Sequence, residues 1–303
     1  MPSLSVIMTM YNVERFLREA IESILAQTFR DFEFIIFDDG STDNSVAIAE
    51  SYNDPRIRLF RSPHVGRAAA LNKAIDYSTT ELLAFMDADD ISMKTRFEEQ
   101  LKYLSENPSV GVISSWAERI DENGKHICVL KYSQYHDEIE YKMTARCSVM
   151  FAGSIIKKMF ILNIKGFDEL IVASSDYEIM LRLLPITQFY TIPKSLYMYR
   201  RNVSSISSRY SDLQNTTQLN KGKEYLLKIL NQNLSIRDEY TVFRRMGICE
   251  YYHGSMKAAR RYLFKAILFG DLSIQNFRYF IPTFFGDKLF SIYRNQLRIK
   301  SKY

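Results

Sequence analysis

Residues 87–90 read Asp-Ala-Asp-Asp, three carboxylates in four positions directly behind the apolar run 82–86 (LLAFM). Like charges that close repel, so a counter-charge belongs beside them. In an extended segment residues i and i+2 point the same way, so Asp87 and Asp89 can face one site while Ala88 stays small between them. Acidic oxygens with no His or Cys nearby suit a hard divalent cation, Mg2+ or Mn2+, which keeps positions open for phosphate oxygens. The competing reading is a solvated acidic loop capping the helix at 92–104. A second acidic stretch, Asp38-Asp39-Gly40-Ser41, closes another apolar run. A carboxylate there can accept from a base imide or a ribose hydroxyl, and the glycine eases a tight turn. It reads equally well as a plain turn and helix N-cap.

The elements that would position these groups alternate. Residues 4–9, 32–37, 56–60 and 82–86 are short apolar runs bounded by turn signals, the pattern of buried strands. Between them, 13–29, 44–52 and 68–77 read as helices; in the first, Phe16, Leu17, Ile21, Ile24 and Leu25 recur at helical spacing. Strand-helix alternation implies an α/β fold with a mainly parallel sheet flanked by helices. Ligands bind such sheets outside the carboxyl ends of the strands. The stretches 9–12, 38–40 and 87–90 all fall there, so they should converge on one edge. Further on, 95–104 reads as a helix, 110–115 as a strand and Asp121–Lys125 as a hairpin turn. A helix at 176–184 and strands at 189–192 and 196–200 follow, and from 211 the pattern is helical throughout.

Composition excludes several classes. Hydrophobic residues are 47% and charged residues 25%, so a sizeable core can form. Cys128, Cys147 and Cys249 are widely spaced without a CxxC pair, which argues against a disulfide scaffold or a zinc site and fits a reducing compartment. No run approaches the ~20 apolar residues of a spanning helix, and no leader pattern opens the chain. The expectation is a cytoplasmic protein, free or peripheral on the cytoplasmic face of the membrane. Residues 211–303 carry 16 Lys+Arg against 7 Asp+Glu, whereas 1–210 carry 24 against 28. A basic tail on a mildly acidic body suits an anionic surface, or is a set of solvated helix faces. The four His residues are scattered and receive no role. No recognition-helix signature supports nucleic-acid binding.

Taken in order, VIMTMYN (6–12), QTFRDFEFIIFDDGSTD (27–43) and AFMDADD (84–90) closely resemble the inverting family 2 glycosyltransferases, which have the GT-A nucleotide-sugar fold. Gly66 and LNKAI (71–75) fall where that family carries a glycine and an arginine- or leucine-asparagine pair. The resemblance spans about residues 3–205. It implies a GT-A domain at 1–210, with a nucleotide-sugar half (1–108) and an acceptor half (109–210), followed by a helical extension at 211–303.

By that resemblance, Thr9 and Tyr11 line the nucleotide pocket, Tyr11 near the base. Asp39 bonds the uracil imide with Asp38 beside it. Asp87 approaches the ribose and diphosphate, and Asp89 ligates the metal, Mn2+ or Mg2+, that bridges the phosphates. Asp90 orients the loop. The general base is expected at an acidic pair opening a helix in the second half; here that pair reads Ser175-Asp176, so Asp176 takes the role. A family histidine after the Tyr-Arg pair is Asn202 in this chain, leaving Arg200, Arg201 and Ser204 as diphosphate contacts. Trp116 and Met150 border the acceptor groove or belong to the core.

The tail resembles a single tetratricopeptide-like helix pair at 246–267, too little for a repeat array. Aromatics crowd 277–290, and Arg294, Arg298, Lys300 and Lys302 follow. That composition suits a bilayer surface, or a helical subdomain packing its aromatics inward. The expected function is metal-dependent transfer of a sugar from a nucleotide sugar, UDP-linked, to a hydroxyl of a glycan or lipid-linked acceptor in surface polysaccharide biosynthesis. The alternative is a non-catalytic nucleotide-sugar-binding scaffold of a glycan assembly complex, motivated by Ser175 and Asn202.

Overall fold

The computed structural model describes residues 2–144, 147–202, 211–231 and 236–284. They form two compact units: 2–136 with 149–202, and the described residues of 137–148 with 211–284. Ser204 and residues 285–303 lie outside the described residues.

The first unit is built on one sheet. Its strands are β1 (Leu4–Met10), β2 (Phe32–Asp38), β3 (Ile57–Arg61), β4 (Leu82–Asp87), β5 (Ile91–Ser92), β6 (Val110–Ile120), β7 (His126–Leu130), β8 (Ile155–Lys157) and β9 (Gln188–Arg200). The order is β3-β2-β1-β4-β8-β6-β9-β5, with β7 on the far half of β6. The quartet β3-β2-β1-β4 is parallel. Its continuation is mixed: β8 pairs antiparallel with both β4 and β6, while β6 and β9 are parallel. The parallel reading therefore holds for this quartet and for the long β6–β9 ladder.

Burial explains why these runs are strands. β2 is buried at every position and β1 at all but Thr9, the state of strands covered on both faces. Helix α1 (Glu14–Leu25) turns Leu17, Ala20, Ile21 and Ile24 onto the sheet at helical spacing. Helices α2 (Ser45–Glu50), α3 (Arg67–Asp76) and α4 (Arg96–Glu106) complete the early crossovers. α1 stops at Leu25, short of the expected residue 29, because the chain beyond it is held by the turn after β5. The Gln27 amide donates to the Met93 carbonyl (2.9 Å) and the Thr28 N–H to that of Lys94 (2.8 Å). The expected strands 189–192 and 196–200 are one strand, β9. Its register on β6 steps from Ile192 to Ser195, passing Pro193, which has no N–H for the ladder.

Two later elements of the unit bear on the site. α6 (Lys158–Asn163) runs into the Gly166-Phe167-Asp168-Glu169 turn, and α7 (Ser175–Leu183) follows. Asn72 on α3 grips that turn. Its Nδ2 donates to the Phe167 carbonyl (3.0 Å) and to Glu169 Oε1 (2.9 Å), while the Phe167 N–H donates to Asn72 Oδ1 (2.8 Å). Gly166 has φ +71°, and a Cβ there would lie 2.6 Å from Asn72 Oδ1. The grip therefore needs glycine twice over, for backbone conformation and for space.

The second unit comprises most of α5 (His136–Met143) with α8 (Ser211–Leu230), α9 (Ile236–His253), α10 (Met256–Leu268) and α11 (Ile274–Phe280). Segment 137–148, expected in the acceptor half, clusters here because polar ties hold it. Arg245, almost wholly buried, donates to the Glu140 carbonyl (3.0 Å), and the Tyr225 hydroxyl donates to Glu140 Oε1 (3.1 Å). α9 and α10 are the helix pair read at 246–267. Gly247 lets them approach, since a Cβ there would meet Leu263 Cγ at 2.5 Å. Among the described residues no helix is long and apolar enough to cross a membrane.

Replacing Asn72 with Ala should cost about 1–3 kcal/mol, because three hydrogen bonds go and the Phe167 N–H loses its partner. Urea unfolding of the two proteins at neutral pH checks this.

Candidate active site

The order β3-β2-β1-β4 reverses direction at β1, and the carboxyl edge beside β1 is where such sheets take ligands. Register brings the expected residues there. Thr9 is opposite Asp87 on one side and Phe37 on the other, and Met10 is opposite Asp38. Neighbouring strands lie about 4.8 Å apart, so Thr9, Asp38 and Asp87 share one short stretch of edge.

On the β2 side the carboxylates organise loops. Asp38 is buried and accepts from the Ser41 N–H (3.1 Å). Asp39, also buried, accepts from the N–H groups of Val65 (2.7 Å) and Gly66 (3.0 Å), and His64 Nδ1 lies 2.9 Å from its Oδ2. Gly40 (φ +78°) permits this closure, because a Cβ there would sit 2.7 Å from the backbone nitrogen of His64. The His64 ring stacks on Tyr11 with centroids 4.3 Å apart. Asn12 binds the other loop: its Oδ1 accepts from the Thr42 N–H (2.7 Å), and its own N–H donates to Ser41 Oγ (3.0 Å). Tyr11, 46% exposed, thus stands on a frame tied at both ends.

On the β4 side the chain turns sharply through the acidic cluster. The Asp87 N–H donates to the Tyr197 hydroxyl (3.2 Å), and Asp90 Oδ1 accepts from the Arg200 N–H (2.7 Å). Asp90 is 1% exposed and its Oδ2 has no hydrogen-bond partner. Burial, then the Asp89 and Asp87 charges, push its carboxyl well above the usual carboxylate range. Asp89 is pushed up to about 6, by burial first and by Asp87 second.

Two arginines answer the charge. Arg67 at the start of α3 ion-pairs with Asp87 (2.8 Å). Burial alone would weaken its hold on the proton, but Asp87, Asp176 and Asp89 all lie within electrostatic reach and keep it charged. Arg200 is enclosed, its guanidinium donating to the Asp89 carbonyl (2.8 Å), to the Glu122 carbonyl (3.1 Å) and to Glu19 Oε2. Expected as a diphosphate contact, Arg200 here holds the acidic turn from beneath. The Arg201 N–H donates to the Ile120 carbonyl (2.8 Å).

Asp176 stands in the first turn of α7 and accepts from the Tyr177 N–H (2.9 Å). α7 opens at Ser174 in a left-handed conformation (φ +66°) and is anchored by Glu178, whose carboxylate takes both Nε (2.6 Å) and Nη2 (2.7 Å) of Arg182. Arg182 also donates to the carbonyls of Ile164 and Gly166, both at 2.7 Å. The loop gripped by Asn72 and the helix carrying Asp176 therefore form one rigid corner. Met150 belongs to the core, and Trp116 donates its indole N–H to the Tyr132 carbonyl (3.1 Å).

Arg67 and His64 went unassigned from sequence. Arg67 was legible as a cation at the strand-to-helix junction beside Gly66; His64 had no partner at ligand spacing, since Tyr11 and Asp39 reach it only through the fold. Among the described residues no three His, Cys, Asp or Glu side chains gather as a metal cage. A Mg2+ or Mn2+ ion needs only one or two protein carboxylates when phosphates complete its shell. The undercompensated Asp89, beside Asp87, fits that role.

This edge carries an acidic turn and an exposed aromatic, Tyr11, at the end of a parallel quartet in an α/β fold. The profile described as Glycosyl transferase family 2 matches residues 5–155. An uncharacterized glycosyltransferase of Methanocaldococcus jannaschii is 33% identical over 211 residues, covering 66% of this chain and 71% of that protein. The putative glycosyltransferase EpsE of Bacillus subtilis is 39% identical over 127 residues, 41% of this chain and 46% of that one. Among solved structures, S. aureus TarS 1–349 with UDP-GlcNAc aligns with TM-score 0.66 and 17% identity over 88% of this chain and 81% of that one. The mannosyltransferase PcManGT from Pyrobaculum calidifontis, with GDP-Man and Mn2+, aligns with TM-score 0.59 and 16% identity over 97% and 83%. The chain belongs to the family 2 glycosyltransferases and is a glycosyltransferase of GT-A-type fold.

A carboxyl group raised in the folded state favours folding only while protonated. Asp89 should therefore lower stability as pH rises from about 4 to about 6, with its cost fully present above that. Asp89→Asn should gain about 1–2 kcal/mol at pH 7 and nothing at pH 4 in ligand-free protein. Chemical unfolding at the two pH values reads the difference.

Proposed function

We propose that the protein is a metal-dependent, inverting glycosyltransferase. It moves a sugar from a nucleotide sugar, UDP-linked, to a hydroxyl of a glycan or lipid-linked acceptor in surface polysaccharide assembly, peripherally at the cytoplasmic face of a membrane. One observation carries this reading: Arg67 ion-pairs with Asp87 and lies within electrostatic reach of both Asp89 and Asp176. An acid from the second half of the chain thus belongs to the same electrostatic cluster as the acidic turn. TarS, whose structures hold UDP-GlcNAc and UDP, supports a UDP-linked donor, and PcManGT with Mn2+ supports the ion.

In this mechanism Tyr11 offers its face to the base, with Thr9, Asp38 and Asp39 along the nucleoside. Asp87 and Arg67 meet the ribose and diphosphate. Asp89, with Asp87 beside it, would hold the Mn2+ or Mg2+. When bound, that ion neutralises charge developing on the leaving diphosphate. Asp176 takes the proton from the acceptor hydroxyl, whose oxygen attacks the anomeric carbon from the face opposite the diphosphate. The bond from that carbon to the diphosphate oxygen breaks, its electron pair stays on the diphosphate, and the configuration inverts. Arg200 acts on the donor through the turn it holds.

Asp176→Asn should reduce sugar transfer by about 10²–10⁴-fold while donor still raises the melting temperature. Asp89→Ala should lose both transfer and the Mn2+-dependent part of the donor-induced shift. Unchanged turnover in Asp176→Asn would remove it as the base. Donor binding without turnover on any acceptor would instead identify a scaffold. NMR of the product's anomeric proton decides between inversion and retention.

A further inference from the structure

The outward face of α10 has no role in the site, and its chemistry is specific. Its inward face buries Met256, Ala259, Leu263 and Ala266. The opposite stripe is exposed along its length and alternates basic with apolar: Lys257, Arg261, Phe264, Lys265, Leu268. The apolar surface continues beyond the helix through Leu272 and Ile274, which are 70% and 88% exposed. It also extends sideways through rings in contact, Phe264 to Phe280 at 6.1 Å and Phe280 to Phe284 at 5.2 Å, with Phe284 58% exposed.

The charge on this surface has one sign. Residues 256–284 carry five Lys or Arg against a single acid, Asp271. Asp271 is 3% exposed and is neutralised by Arg244 (3.1 Å). Every exposed charge in the segment is therefore positive. Long basic side chains beside protruding apolar ones match a headgroup layer, where the apolar groups enter the acyl boundary and the cations remain with the phosphates.

We infer that this face of the helical unit, and not only the sequence beyond residue 284, is the surface that docks on an anionic lipid bilayer. The inference rests on the peripheral attachment proposed above and names the residues that make it: Phe264, Leu268, Leu272 and Ile274 insert, while Lys257 and Arg261 meet lipid phosphates. A bilayer is favoured over a second protein chain because the stripe offers no exposed acid for a partner's cations, while its basic side chains match anionic headgroups.

The test uses the full chain with sedimented vesicles of phosphatidylcholine alone or with phosphatidylglycerol. The chain should bind the anionic vesicles and lose binding as salt rises. Lys257→Gln with Arg261→Gln should weaken binding about 25-fold, roughly five-fold for each basic side chain. Phe264→Ser, Leu268→Ser and Ile274→Ser together should weaken it at least ten-fold. All five residues are exposed, so far-UV circular dichroism and transfer to a soluble acceptor should be unchanged, and melting should fall only slightly where Phe264 loses its ring contact with Phe280. If the full chain ignores both vesicle types, peripheral attachment itself fails. If the full chain binds and both variants bind equally well, attachment stands and this face is refuted. Light scattering that shows a dimer broken by the apolar variant would assign the face to a second copy instead.

Discussion

Three carboxylates compressed into one turn would drive that turn apart unless cations and hydrogen-bond donors held it. Arg67 takes the side chain of Asp87, and Arg200 reaches the turn from below through the Asp89 carbonyl and, by its own N–H, through Asp90. The compensation is incomplete. Asp90 retains a buried oxygen without a partner, and burial with the Asp87 charge pushes Asp89 up to about 6. The resting protein thus holds acids that burial and mutual repulsion leave only partly compensated. Much of the surrounding structure serves to hold this unfavourable charge in place.

Around the turn the fold repeats one device: a side chain on or just behind one element fixes the loop between two others. Asn12 behind β1 holds the loop after β2, Asp39 behind β2 holds the loop before α3, and Asn72 on α3 holds the turn before α7. Each tie spans a long stretch of sequence yet satisfies backbone N–H groups that a loop would otherwise leave to water. The result is a rigid frame for Tyr11, Asp87 and Asp176, with loops serving as extensions of the sheet edge.

Much of this was legible from residue order. Apolar runs with turn signals gave β1 to β4, and the parallel-sheet rule put residues 9–12, 38–40 and 87–90 on one edge. The motifs extended the reading to the family. Less legible were elements that exist only through partners. β5 is two residues long and is a strand because β9 pairs with it. α5 joins the helical unit through Arg245 and Tyr225, residues far along the chain. β9 reads as two strands because Pro193 interrupts the pattern that the longer ladder tolerates.

By itself the sequence determined the class of chemistry, since which residues are acidic and where they follow strands is a local property. It determined the family for the same reason. The tertiary structure decided the division of labour among charged groups. Arg200 looked like a phosphate contact and is a buried brace; Arg67 drew no attention and is the counter-ion of the acidic turn. His64 acquired neighbours, Tyr11 and Asp39, that no spacing announces. Whether a charge faces ligand, protein or solvent depends on what packs over it, and that is a property of distant parts of the chain brought together.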